Sequence, residues 1–194
     1  MNLIKIKYLL LVVITFIWTM PLLAQNNPKT PKQKRILETF LDGQNKPVYP
    51  PADVYTPTGY WFFDGALNTP NEKSDIRPKS PRVLASNGTD ESGFISTNYE
   101  INGLQKVKVG FIGFKADNGP FAVEVLVSAD KGKTWKSLGT KAGDPTKEEE
   151  TIAEFVLDKP SKGSYRVKIA NASAPKPNRL NRINITEVQL IYEE

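Results

Sequence analysis

The chain has 194 residues, a formal net charge of +5, and neither histidine nor cysteine. This composition excludes histidine-assisted serine triads, cysteine nucleophiles, histidine–zinc sites and disulfides, so burial alone must hold the folded domain together. The positive charge is mild and evenly mixed along the sequence, which argues against nucleic acid as a partner.

Residues 1–24 have the pattern of an export signal. Lys5 and Lys7 provide a positive start, an apolar stretch follows, and Ala24 is a small residue at the expected cleavage position. The apolar stretch is shorter than the ~20 residues needed to span a bilayer. An uncleaved anchor is the alternative, because Leu22 is not the small residue usual at its position. We therefore predict an exported protein, periplasmic or extracellular, with no membrane span after signal removal.

Residues 25–58 are predicted to form a linker with a short helix and a proline-rich, extended segment. The helix is predicted over about residues 31–42, with Thr30 as its cap and Gly43 as its stop. Its apolar face would consist of Ile36, Leu37, Phe40 and Leu41. Two roles remain open for this helix, docking on the domain or binding of a partner.

From residue 59 to residue 194 the apolar pattern changes to period two. The candidate strands are Tyr60–Leu67, Pro81–Ser86, Phe94–Glu100, Lys106–Lys115, Phe121–Val127, Trp135–Thr140, Thr151–Leu157, Ser164–Ala170 and Arg182–Tyr192. Short strands separated by turn signals predict an all-β, antiparallel sandwich. In the last strand the apolar positions change parity near Thr186 and Glu187, which predicts a β-bulge.

A turn motif begins at Ser128 and ends at Trp135. Asp130 is placed to accept bonds from backbone N–H groups, and Gly132 is free to take a positive φ. Ser128 and Thr134 are placed to brace the two arms of the hairpin. Trp135 is expected to bury its ring in the core. The motif resembles the Asp-box, a hairpin signature of sialidase-like propellers and several secreted β-sandwiches, and its single occurrence favours a sandwich.

Further segments match together with this hairpin: Gly59–Leu67, Pro81–Val83, Gly93–Thr97, Lys106–Gly113 and Arg182–Ile185. As a set they resemble the jelly-roll, lectin-like accessory module of secreted Bacteroidetes-type bacterial proteins, which is often appended to extracellular nucleases and peptidases. The resemblance implies an all-β, antiparallel jelly-roll β-sandwich of about 8–9 strands and a non-catalytic binding role. Thr186 departs from the family, which usually has an acidic residue there, so a role for that carboxylate does not carry over.

The candidate binding residues are aromatic and cationic. Four consecutive rings at residues 60–63 supply two rings to each face of a strand, and one pair must enter the core. The other pair would be exposed or covered by the N-terminal segment. The predicted binding residues are Trp61, Phe63, Arg77, Arg82 and Arg182. The alternative for the arginines is ordinary solvation. The predicted ligand is a glycan, and a protein of the cell envelope is the alternative partner.

Enzymatic and metal-dependent functions have weaker signals. Paired carboxylates would allow glycoside hydrolysis, but the acidic run at residues 148–150 is typical of a solvated turn. We therefore predict a protein that is not an enzyme, with a glycoside hydrolase as the remaining alternative. Asp64, Asp75 and Asp90 would suit structural calcium, but their spacing matches no calcium-loop motif. No cofactor is predicted, and the sequence does not specify an oligomeric state.

Overall fold

The computed structural model describes residues 32–69, 75, 77–86, 91–117, 119–158, 163–175 and 181–193. The chain divides into two units, residues 1–30 and residues 31–194, and every described residue belongs to the second. The predicted export signal lies outside the described residues. No helix long and apolar enough to cross a membrane occurs in the part of the chain that the structure describes.

The described residues form an all-β domain of thirteen strands. The strands are β1 (Gln33–Glu38), β2 (Ala52–Thr56), β3 (Gly59–Asp64), β4 (Ala66–Leu67), β5 (Arg82–Val83), β6 (Phe94–Thr97), β7 (Ile101–Asn102), β8 (Leu104–Gly113), β9 (Ala122–Ser128), β10 (Lys136–Ala142), β11 (Thr151–Val156), β12 (Ser164–Asn171) and β13 (Ile183–Glu193). The predicted strand over residues 60–67 is divided in two at Gly65, where φ is 57°.

Two antiparallel sheets form the sandwich. The six-stranded sheet has the order β11-β8-β13-β5-β4, and β1 also pairs with β13. The seven-stranded sheet has the order β10-β9-β12-β6-β3-β2, and β7 also pairs with β12. Neighbours in these sheets are mostly distant in sequence, so loops must bring the pairing partners together. The predicted antiparallel sandwich is confirmed.

The core lies between the two sheets and follows the predicted period-two pattern. Val107, Val109 and Phe111 of β8 face inward from one sheet and are fully buried. Val123 and Val125 of β9 face inward from the other sheet and are equally buried. Because side chains alternate across a strand, the intervening residues of each strand form an outer face on each sheet.

The predicted bulge in β13 is present. The register of β13 against β8 shifts between Ile185 and Glu187, next to Gly110. A Cβ atom on Gly110 would lie only 2.4 Å from Thr186 Oγ1, so any larger residue would push the bulge out of place. The bulge lets both halves of β13 direct their apolar side chains into the core.

The predicted helix over residues 31–42 is wrong in its described part, because residues 33–38 form strand β1. In β1, Ile36 packs against the core while Leu37 is exposed, as strand alternation requires. The edge of β13 supplies the hydrogen-bonding partner that the local pattern does not reveal. Beyond β1, Phe40 adopts a φ of 59° and turns its ring into the core.

The segment after β1 is held in place by a buried carboxylate. Glu38 Oε1 accepts a bond from the backbone N–H of Phe40 at 2.5 Å. Glu38 Oε2 accepts bonds from the hydroxyls of Thr56 and Thr58, each at 2.5 Å. These bonds satisfy the carboxylate away from water and tie the N-terminal segment to the strand pair β2–β3.

Candidate functional site

Strand alternation divides the four rings of β3 between the two sides of its sheet. Trp61 and Phe63 are fully buried, and the ring of Phe40 meets both of them edge-on at centroid distances of 5.2 and 6.2 Å. The prediction that Trp61 and Phe63 bind a ligand is therefore wrong, because both rings fill the core. Tyr60 and Phe62 lie on the outer side.

Five aromatic side chains lie on the outer face of the seven-stranded sheet, and we call this surface the aromatic face: Tyr55, Tyr60, Phe62, Phe94 and Trp135. Tyr55 and Tyr60 form a cross-strand pair with ring centroids 5.4 Å apart, and they are 51% and 53% exposed. Phe62 and Phe94 are half-buried, with centroids 6.0 Å apart. This surface combines exposed rings with a rigid sheet beneath them.

Lys168 of β12 lies between two rings of the aromatic face. Its Nζ atom is 4.2 Å from the centroid of the Phe94 ring and 4.4 Å from that of Trp135, which are cation–π distances. Burial lowers the pKa of Lys168, although nearby carboxylates oppose this shift by attraction. Those carboxylates are Glu91, Asp64 and Glu124. The ammonium group is therefore held on two rings, and three carboxylates act electrostatically on it.

The hairpin after β9 has the hydrogen bonds that the sequence predicts. Asp130 Oδ1 accepts bonds from Ser128 Oγ at 2.7 Å and from the Thr134 N–H at 2.9 Å, and Asp130 Oδ2 accepts one from Thr134 Oγ1 at 2.6 Å. The bonds from Thr134 and Ser128 lower the pKa of Asp130. Gly132 has a φ of 88°, and its N–H donates to Ser128 Oγ at 2.7 Å.

The prediction that Trp135 enters the core is wrong. Its side chain is only partly buried, and its ring lies against Lys168 on the outer side of the sheet. Lys168 stands between Val167 and Ile169 in sequence, and both of these neighbours face the core. The turn therefore ends on the outer side, where it adds one ring to the aromatic face.

A line of polar side chains borders the rings of the aromatic face. Arg166 Nη1 donates to Asn98 Oδ1 at 3.0 Å, and Asn98 Nδ2 donates to Asp53 Oδ1 at 3.1 Å. Asp53 lies directly opposite Phe62 across the β2–β3 pair. Donors and acceptors therefore stand beside the exposed rings, which is the combination that polyhydroxylated ligands require.

A second concavity, which we call the end pocket, lies beside the C-terminal end of β8 and has a volume of about 450 Å³. Arg182 binds the Asp117 carboxylate through Nε at 2.8 Å and Nη2 at 2.6 Å. Arg82 binds the Asp75 carboxylate in the same two-point manner at 3.1 and 2.7 Å. Both guanidinium carbons lie 4.2 Å from the centroid of the Phe114 ring. The structure thus brings two of the predicted binding arginines together.

The ion pairs of the end pocket are shielded from water. Burial opposes ionisation of Asp117, but bonds from the side chain and backbone of Arg182 and from the Asn181 N–H hold its pKa below the usual value. The same carboxylate raises the pKa of Arg182. Only 3% of the Asp117 side chain and 19% of the Arg182 side chain are exposed. Most of the hydrogen-bonding capacity of these groups is therefore directed within the protein.

The third predicted arginine, Arg77, does not join the other two. It donates to Glu150, whose other carboxylate oxygen accepts a bond from the Thr186 hydroxyl. Residues 148 and 149 are exposed, as predicted for a solvated turn, but Glu150 is engaged in these contacts. A carboxylate from a different loop thus approaches the position where the resemblance leads one to expect an acidic residue.

No cluster of metal-ligating side chains among the described residues supports the hypothesis of structural calcium. The described residues contain no group of three or more histidine, cysteine or acidic side chains arranged to hold a metal ion. Asp75 accepts bonds from Arg82 and from Asn184 Nδ2, the latter at 2.7 Å. Asp64 belongs to β3, and Asp90 lies outside the described residues.

The aromatic face was not predicted from the sequence as a group of residues, although the parity of one charged residue indicated part of it. Asp64 has the same parity as Tyr60 and Phe62 along β3, and a charged residue at that parity favours an outward face for all three. The contributions of Tyr55, Phe94 and Lys168 follow only from the strand order, which the local pattern does not specify.

No protein-family model and no curated protein matches this chain. Among solved structures, the K2 cleaved adhesin domain of Lys-gingipain is similar at 13% identity, with a TM-score of 0.54 over 81% of this chain and 99% of that one. A family 29 carbohydrate-binding module is similar at 10% identity, with a TM-score of 0.48 over 81% of this chain and 93% of that one. The module TmCBM61, solved in complex with β-1,4-galactotriose, has 15% identity and a TM-score of 0.42 over 72% of this chain and 90% of its own. At these identities the adhesin domain shows a shared fold.

Proposed function

We propose that this protein is an exported, non-catalytic glycan-binding module of the bacterial cell envelope, and that the aromatic face is its binding surface. The observation that supports the proposal is the pair of half-exposed rings, Tyr55 and Tyr60, beside hydrogen-bonding side chains on a rigid sheet. The pattern of residues 1–24 supports export, to the periplasm or beyond. The absence of histidine and cysteine supports a binding role over catalysis.

The chemistry of a sugar fits this surface. The C–H groups on one side of a pyranose pack on an aromatic ring, and its hydroxyls need donors and acceptors at the ring edge. Tyr55 and Tyr60 offer the platform, and the hydroxyls meet the polar line from Asp53 to Arg166. The rings continue from β2 to the turn after β9, four strand spacings or about 19 Å across the sheet. An extended oligosaccharide of several units would contact the whole row.

Affinity electrophoresis through gels containing soluble polysaccharides tests the proposal. The wild-type protein is expected to be retarded by at least one neutral plant or microbial polysaccharide. Tyr60→Ala should weaken this retardation about tenfold or more, because a stacking ring is lost, while folding is retained because the side chain is half exposed. Val156→Ala removes an equally exposed apolar group from the other sheet and serves as the matched control. If Tyr60→Ala leaves the retardation unchanged, the aromatic face is not the binding surface.

One observation favours protein binding as a second candidate function. On the outer face of the six-stranded sheet, Leu37, Ile152 and Val156 are 41%, 52% and 54% exposed. Exposed apolar side chains on a sheet face are a common feature of protein contacts. This alternative predicts no retardation by any polysaccharide, and a complex with an envelope protein that is weakened by replacing Ile152 and Val156 with serine.

A further inference from the structure

We propose that the aromatic face selects neutral polysaccharides and excludes polyanionic ones, because carboxylates accompany the cations of strand β12 on this surface. The inference rests on the proposed glycan-binding function and adds the class of ligand to it. Its basis is the position of the charged groups in the sheet register.

Two acidic residues, Asp64 and Glu124, stand in one line across the sheet beside Lys168. Asp64 of β3 lies opposite Phe94 of β6. Ala170 of β12 lies opposite Phe94 on one side and opposite Glu124 of β9 on the other. These residues therefore share one line and project on one side of the sheet. Lys168 precedes Ala170 by two residues along β12, so it stands in the adjacent line, on the same side.

The two cations that strand β12 places on this face, Lys168 and Arg166, are already engaged. The Lys168 ammonium lies on the rings of Phe94 and Trp135, and the carboxylates of Asp64, Glu91 and Glu124 act on its charge. A carboxylate or sulfate on a ligand would have to approach Lys168 through this negative field. The lysine is therefore a poor anchor for an anion.

The positive charge of Arg166, at the other border of the rings, is also accompanied by an acidic group. Its Nη1 group donates to Asn98, and Asn98 donates in turn to Asp53. The positive charge of the arginine is thus offset by a carboxylate at the far end of a short hydrogen-bonded chain. Neutral sugar hydroxyls lose nothing in this arrangement, since they donate to carboxylates and accept from Arg166.

The expected discrimination is electrostatic and depends on salt. A polyanion places a charge on successive sugar units, and the range of its repulsion by the carboxylates is set by the Debye length, ~8 Å at physiological ionic strength and longer at low salt. Repulsion should therefore be greatest at low ionic strength.

The test compares retardation by neutral and anionic gels at low ionic strength. The neutral probes are a glucomannan, a mixed-linkage β-glucan and a galactan, and the anionic probes are polygalacturonate and heparin. At least one neutral probe should retard the protein at least about tenfold more strongly than either anionic probe at equal concentration. Stronger retardation by polygalacturonate or heparin would overturn the inference and leave glycan binding intact. No retardation by any probe would refute the proposed function as well.

A charge variant identifies the cause. Asp64→Asn together with Glu124→Gln removes two carboxylates without changing side-chain volume, and retardation by polygalacturonate should rise about tenfold or more at low salt and fall again at high salt. Glu154→Gln removes a carboxylate from the outer face of the other sheet and should change nothing. If the double variant does not fold, as judged by near-ultraviolet circular dichroism, Glu124→Gln alone is measured and should give a smaller rise. Unchanged discrimination in a folded charge variant would overturn the inference.

Discussion

The end pocket and the aromatic face both place cations over aromatic rings, but they use the arrangement in opposite ways. At the end pocket, Arg82 and Arg182 approach Phe114, and each is locked by a carboxylate that is almost completely buried. On the aromatic face, Lys168 rests on partly exposed rings and its carboxylate neighbours act from a distance. A cation over a ring is thus a structural support where both partners are buried, and part of a surface where the rings remain accessible.

The greatest loss of stability is expected at the end pocket, where the ion pairs are buried. Asp117→Ala would leave the Arg182 guanidinium mostly buried without its partner and remove bonds to two backbone N–H groups. The free energy of unfolding should fall by about 3–5 kcal/mol. Urea denaturation followed by fluorescence measures it. A loss no greater than that of Glu154→Gln, whose exposed ion pairs are worth only about 0–1 kcal/mol, would contradict a structural role.

The next effect concerns the aromatic face and should separate binding from stability. Tyr55→Ala removes a half-exposed ring, so the free energy of unfolding should change by no more than about 0.5 kcal/mol. The affinity for polysaccharide should nevertheless fall about tenfold, because the ring of Tyr55 forms one platform with that of Tyr60. Trp61→Ala should give the reverse pattern, a loss of about 3–5 kcal/mol through its core cavity. Paired denaturation and affinity gels distinguish the two variants.

A smaller effect follows from the titration of Asp117. Its pKa is lowered in the folded protein, so the carboxylate stabilises the fold at pH values above its unfolded pKa of about 3.9. This contribution should be lost as the pH falls through the lower, folded pKa. Denaturation measured from neutral pH down into this acidic range should show the loss. Asp117→Asn should show a shallower acid dependence, and an identical slope in both proteins would contradict the assignment.

The smallest effect concerns calcium. The Asp75 oxygens already accept bonds from Arg82 and Asn184, so the guanidinium provides the positive charge that a metal ion would supply. Adding calcium or a chelator should leave the melting temperature unchanged, as measured by differential scanning calorimetry. A clear rise with calcium would show that a site exists elsewhere in the chain.

Local sequence patterns were sufficient for those features that depend on neighbours along the chain. The alternation of β8, β9 and β12 predicted the two inward faces, and the parity change near Thr186 predicted the bulge of β13. The hairpin hydrogen bonds of Asp130 also follow from residues within one turn.

Features that depend on distant partners could not be derived in this way. The segment at residues 33–38 has a helix-compatible spacing, and only the free edge of β13 makes it a strand. The ring of Phe40, which packs on Trp61 in the core, reaches it through the same distant pairing. Arg82 and Arg182 meet at Phe114 because β5, β13 and the end of β8, distant in sequence, are neighbours in one sheet. The N-terminal strand and the candidate site therefore depend on the strand order, which local sequence patterns do not specify.

The pairing of β1 with β13 has a consequence for how the domain is connected. Gln33 and Glu193 are direct partners in this ladder, so the first and last strands are one strand spacing apart, about 5 Å, at this point. In a version of the domain that begins at Gln33, a few added residues after Glu193 would link the two strands without disturbing either sheet. The exposed turn near residue 146 then offers a place to open the closed chain, and the resulting circular permutant would begin and end at that turn while keeping every strand pairing of the described residues.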